Sequence, residues 1–176
     1  MKRLSCFAST RRISALAGST LALLGLALHA VAQAPTNQVP FKATVGPYVG
    51  DVFVVPVSPP IASARTNAKG EATLLGPVTY LDLHTIQLGV DGGPLFFKDG
   101  IGVMTAANGD ALFITRSGLS RATATGVTAE FGYIVTGGRG RFTGATGSGV
   151  GRAVLDRSKN EATVVFEGTI SAPMAQ

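Results

Sequence analysis

Between positions 137 and 149 the chain reads Gly-Gly-Arg-Gly-Arg-Phe-Thr-Gly-Ala-Thr-Gly-Ser-Gly, six glycines around one aromatic. A helix is excluded there, because each interior glycine costs about 1 kcal/mol relative to alanine. The segment joins two stretches that alternate apolar and polar residues. It therefore reads as a tight corner between strands, where the backbone approaches its neighbours closely or takes positive φ. That points to an all-β fold.

The first thirty-two residues follow different rules. Lys2, Arg3, Arg11 and Arg12 form a basic head, residues 13–30 are apolar and leucine-rich, and Ala30-Val31-Ala32 is a small-x-small exit. This is the pattern of a secretory signal peptide, residues 1–32, with a helix expected in its apolar part and cleavage expected after Ala32. The rival reading is an uncleaved membrane anchor, since the apolar stretch approaches the length of a span. Thr10-Arg11-Arg12 suggests twin-arginine export only weakly, because Ser14 and Ala15 stand where bulky apolar residues would be expected.

Removing the leader changes the balance of charge. Four of the fifteen basic residues leave with it, so eleven face ten acidic residues and the net charge falls from +5 to +1. The basic character of the whole chain thus gives no case for nucleic-acid binding. Cys6 leaves too, so the 144 residues that remain have no thiol and no disulfide. They suit one domain, held together by its own core, exported to the periplasm or beyond, with no stable membrane insertion once cleaved.

Residues 33–40 are polar and turn-prone, a flexible lead-in to a domain over 41–176. Candidate strands lie at 41–45, 51–57, 61–65, 71–75, 78–90, 101–107, 111–116, 127–136, 145–156 and 161–171, and about eight or nine are expected, mostly hairpin-linked. Turns are expected at Asn67-Ala68-Lys69-Gly70, Asp91-Gly92-Gly93-Pro94, Asn108-Gly109 and Arg157-Ser158-Lys159-Asn160. Val127, Ala129, Phe131, Tyr133 and Val135 share one face of their strand, as do Ala162, Val164, Phe166 and Ile170. A single antiparallel barrel is preferred over a sandwich, because closure removes the edges that a disulfide-free exported sheet must otherwise protect.

Ala106-Ala107-Asn108-Gly109-Asp110, Tyr133-Ile134-Val135-Thr136-Gly137-Gly138, Gly140-Arg141-Phe142 and the run from Gly144 to Gly149 resemble a group of small exported bacterial proteins of the allene oxide cyclase-like and dirigent-like barrels. The resemblance spans residues 101–171. It implies a calycin-like barrel of eight antiparallel strands with an apolar lumen, which in the plant relatives steers a reactive intermediate to one product. Relatives of this fold often associate, so a homo-oligomer is implied as well. Arg139 stands where threonine is expected, Leu74-Leu75-Gly76-Pro77 replaces a His-Leu-Gly segment, and the pocket cysteine of the plant cyclases is missing. The fold is carried over and no catalytic residue is.

His84 is the one histidine after the leader. In an unbroken strand Val78, Tyr80, Asp82, His84 and Ile86 share a face, so Tyr80, Asp82 and His84 are the candidate ligand-binding cluster if that face lines the lumen. The opposite orientation is the expectation, because Leu81 and Leu83 call for burial and barrel interiors take apolar side chains first. Glu130 is expected in solvent, Arg139 and Arg141 in a solvated loop rather than an anion site, and Asp91, Asp99 and Asp110 in turns. No nucleophile elbow, phosphate loop or zinc motif occurs, so no metal and no cofactor are expected.

The leading expectation is an exported small barrel binding an apolar or amphipathic small molecule in its lumen without covalent catalysis. The alternatives are a cyclase or isomerase-type barrel, and a structural or surface-interaction barrel with a filled interior.

Overall fold

Alternation along the chain is converted into nine antiparallel strands in the computed structural model, which describes residues 37–55, 61–89 and 95–174. They are β1 (Gln38–Tyr48), β2 (Asp51–Val55), β3 (Ile61–Ala72), β4 (Gly76–Gln87), β5 (Leu95–Ala106), β6 (Ala111–Ala122), β7 (Gly126–Arg139), β8 (Gly147–Asp156) and β9 (Glu161–Ser171). The one helical turn among the described residues is a 3-10 turn, Gly140–Phe142. The expected leader, the Asp91–Pro94 turn and the first residues of the lead-in lie outside the described residues.

Hydrogen bonding runs from β1 through β9 and back down in order to β3, and β1 also pairs with β3. That last pairing closes the sheet into a barrel of eight strands, with β2 continuing along β3 where β1 leaves it. The antiparallel closed barrel expected from the sequence is the fold.

Several boundaries differ from expectation. The first strand begins at Gln38, inside the supposed lead-in. Residues 67–70 are not a turn: β3 runs through them to Ala72, and the chain reverses at residues 73–75, with Leu74 at φ 70°. Gly70 serves closure instead. A Cβ there would run into the backbone of Thr44 and Val45 on β1, so glycine lets the two strands meet. The Asn108-Gly109 and 157–160 turns occur where expected, with Gly109 at φ 88°.

The glycine run makes the corner from β7 to β8. Gly140 and Gly144 take φ of 66° and 71°, values that side chains rarely adopt. The corner presses Phe142, 1% exposed, into the end of the barrel, in one core cluster with Leu75, Leu112 and Ala145. Above this plug Phe166 sits edge-on to Tyr80, Phe131 and Tyr133, with ring centroids 5.4–5.5 Å apart. Gly102, Gly149, Gly151 and Gly168 are the positions that leave room for these rings. Half of the barrel is thereby filled.

Candidate functional site

The other half is open. A cavity of about 350 Å³ lies toward the end of the barrel opposite the glycine corner, walled by Ala62, Ala64, Ile86, Ala129, Ala153 and Val164 among others. Small residues on β3, β7 and β8 make the space that aromatic rings occupy lower down. The volume is at the lower end of the range for small-molecule sites, about 300–1,000 Å³.

Polar side chains converge at the floor of this cup. Tyr80, Asp82 and His84 all turn inward: Tyr80 is fully buried, Asp82 is 4% exposed, and the imidazole borders the cavity. Leu81 and Leu83 point outward, 46% and 55% exposed. This reverses the expectation that the Tyr80–His84 face meets water. The cause is a partner the sequence reading left out, Arg116 on β6, which supplies the countercharge that makes a buried carboxylate tolerable.

Arg116 Nε donates to Asp82 Oδ2 at 3.0 Å and Nη2 donates to Oδ1, a two-pronged contact. Its guanidinium also lies 5.0 Å from the ring centres of both Phe97 and Phe131. Tyr80 Oη donates to Asp82 Oδ2 at 3.2 Å. His84 Nδ1 stands 2.7 Å from Asp82 Oδ1 and 3.1 Å from Arg116 Nη2. An ionised carboxylate only accepts, so the shorter contact assigns Nδ1–H as donor to Asp82, and in the neutral imidazole the lone pair falls on Nε2.

Burial alone would push the Asp82 carboxyl up, but the bonds from His84 and Arg116 and the guanidinium charge more than offset it and hold it below its usual value. For Arg116, burial lowers and Asp82 raises, and the net direction is up. Burial pushes the Tyr80 phenol far above its ordinary range. Tyr48, at the cup's edge, is raised for the same reason, although its bond with the buried Thr66 side chain opposes this.

A bulge places these groups. Pairing of β4 with β5 passes from Leu83 opposite Ile101 to Thr85 opposite Lys98, so Asp99 and Gly100 together face His84. Asp99 takes φ 55°, and a Cβ on Gly100 would stand 2.7 Å from Arg116 Cγ. The extra residue therefore brings a glycine against the Arg116 stem, leaving space for it to fold over the floor.

The remaining candidates have structural roles. Arg141 donates from Nε and its backbone N–H to Asp110, and Arg139 Nε donates to the Gly109 carbonyl, tying the glycine corner to the neighbouring hairpin. Arg141 is thus committed to a carboxylate rather than to a loop in solvent. Asp110 itself sits in a turn, as expected, with its N–H bonded to Asn108 Oδ1. Glu130 is exposed, also as expected, 3.8 Å from Arg152. Tyr133 Oη is buried without a hydrogen-bond partner among the described residues, against Gly149 and Gly168, and burial pushes its phenol up to about 12.

Among the described residues no three His, Cys, Asp or Glu side chains come together as metal ligands, and no helix is long and apolar enough to cross a membrane. No family model, no curated protein and no solved structure matches the chain.

Arg116 was legible in one respect. Leu112, Ile114 and Arg116 keep a strict two-residue period, and both apolar members are fully buried. Continuing that period puts the arginine inside.

Proposed function

We propose that this chain is an exported barrel that holds one amphipathic small molecule in its cup without covalent catalysis. The ligand's apolar body lies against the alanine-rich wall, and its polar end rests on His84 and Arg116. The observation that carries this reading is the contrast between the two halves of one lumen. Rings fill the half beside Phe142, whereas alanines leave about 350 Å³ above a polar floor in the other. A barrel serving only as a scaffold would gain stability by filling that space. Export is supported by the basic head, the apolar stretch and the Ala30-Val31-Ala32 exit.

A second reading has one specific observation in its favour. The 2.7 Å contact of His84 Nδ1 with Asp82 fixes the imidazole so that Nε2 is positioned as a base at the cup floor. That arrangement would suit a cyclase or isomerase that moves a proton on a substrate held by shape.

Native mass spectrometry of the barrel, purified without detergent, separates these readings. One bound small molecule released unchanged on denaturation supports a binding protein. A bound species converted to an isomer of different fragmentation supports the enzyme. Bare protein in every preparation, together with no uptake of an apolar fluorescent probe, would sink both.

A further inference from the structure

The charges on the cup floor are matched within the protein, and what they leave over selects a class of ligand. Asp82 and Arg116 satisfy each other through Nε and Nη2. Arg116 Nη1 makes no hydrogen bond to the described residues, and neither does His84 Nε2, while both side chains border the cavity. The floor therefore offers one lone pair and one free donor edge, surrounded by Ala62, Ala64, Ile86 and Val164.

We propose that the head group this floor takes is a neutral hydroxyl, so that the ligand is an apolar alcohol. This rests on the reading of the cup as a ligand site and deepens it. A hydroxyl both donates and accepts: its O–H serves His84 Nε2 and its oxygen serves Arg116 Nη1. A carboxylate only accepts. It would satisfy Arg116 but face the Nε2 lone pair and the negative charge of Asp82 behind it, and an acceptor left unpaired on burial is costly. An ether oxygen likewise leaves Nε2 without a donor, and a hydrocarbon leaves both groups unserved.

The test is displacement of N-phenyl-1-naphthylamine, a neutral apolar fluorophore, from the unaltered chain at about pH 8. The competitors are 1-octanol, octyl methyl ether and octanoate, alike in their apolar tail. Octanol is expected to bind about tenfold more tightly than either of the others, the effect of one well-made buried hydrogen bond. His84→Phe keeps a ring edge against Phe97 and removes Nε2; it should shrink the advantage of octanol over the ether to within about twofold. If that variant does not fold, the ranking on the unaltered chain decides. Octanol binding no better than the ether, or octanoate binding best, overturns the hydroxyl preference and leaves the cup as a ligand site. Failure of the fluorophore and all three competitors to bind overturns the ligand site itself, and this inference with it.

Discussion

Arg116 and Asp82, thirty-four positions apart on strands β6 and β4, form a two-pronged ion pair inside the barrel, with side chains 4% and 0% exposed. It lies between the filled and the open halves of the lumen. The same pair thus supports the fold below and forms the floor above.

Breaking this pair from one side should be severe. Arg116→Met leaves the Asp82 charge buried with only Tyr80 and His84 as donors, and a loss of about 3–5 kcal/mol is expected. Replacing both partners, Asp82→Leu with Arg116→Met, should cost less than the worse single change, since no unpaired charge is left. Urea unfolding of the three variants checks the order. Additive losses would show that the two residues do not act as a pair.

Stability should fall on the acid side. The Asp82 carboxyl has a depressed value in the folded chain, where the bonds from His84 and Arg116 outweigh burial. The unfolded chain therefore takes up the proton first. The stabilisation is complete above about pH 5, drains away through the unfolded value and is lost as pH falls past the folded-state value. Asp110, Asp156 and Glu167 are depressed by their bonds to Arg141, Ser158 and Lys42 and give slope of the same sign. Urea midpoints from neutral pH downward should decline below that point, and Asp82→Asn should decline less steeply.

Glycines in the lumen wall and on the outer surface should respond in opposite ways. A Cβ at Gly102 would stand 2.7 Å from Tyr80 Oη, and one at Gly151 would collide with the Phe131 ring. Gly102→Ala and Gly151→Ala should each cost about 1–3 kcal/mol as the rings are displaced. Gly132→Ala on the exposed face meets nothing within 4 Å and should be neutral or stabilising by up to about 1 kcal/mol. Thermal melts of the three variants settle the contrast.

Filling the cup should separate binding from folding. Ala129 and Ala153 face the cavity from β7 and β8. Ala153→Leu, alone or with Ala129→Leu, should weaken uptake of an apolar fluorophore at least about tenfold while the melting temperature holds or rises. Unchanged uptake would place the ligand elsewhere on the molecule.

Much of the fold could be read from residues. The glycine run marked the corner, Asn108-Gly109 marked a hairpin, and the two-residue period of β7 and β9 gave the buried faces correctly. Gly70 was misread because a glycine after Asn67-Ala68-Lys69 looks like a turn. Its role in admitting β1 depends on a strand about twenty-five positions away, a distance local pattern does not register. The site was half legible. Alternation put Tyr80, Asp82 and His84 on one face, but hydrophobicity argued that Leu81 and Leu83 should be buried. Buried polar clusters break that ranking when a distant partner satisfies them, and here the partner was Arg116.

The seam between β1 and β3 has a mechanical consequence. Only Ala43–Val45 pair with Gly70–Ala72 before the first strand bends away and β2 takes over along Ile61–Arg65. A cylinder held by so short a clasp should breathe there first, with amides of that seam trading deuterium ahead of those between β6 and β7. That clasp sits at the ring-filled end. Along Ala62 and Ala64 at the cup, the edge of β3 is covered, among the described residues, by the five residues of β2 alone, so lifting β2 would open the cup's wall without unfolding the ring-filled end.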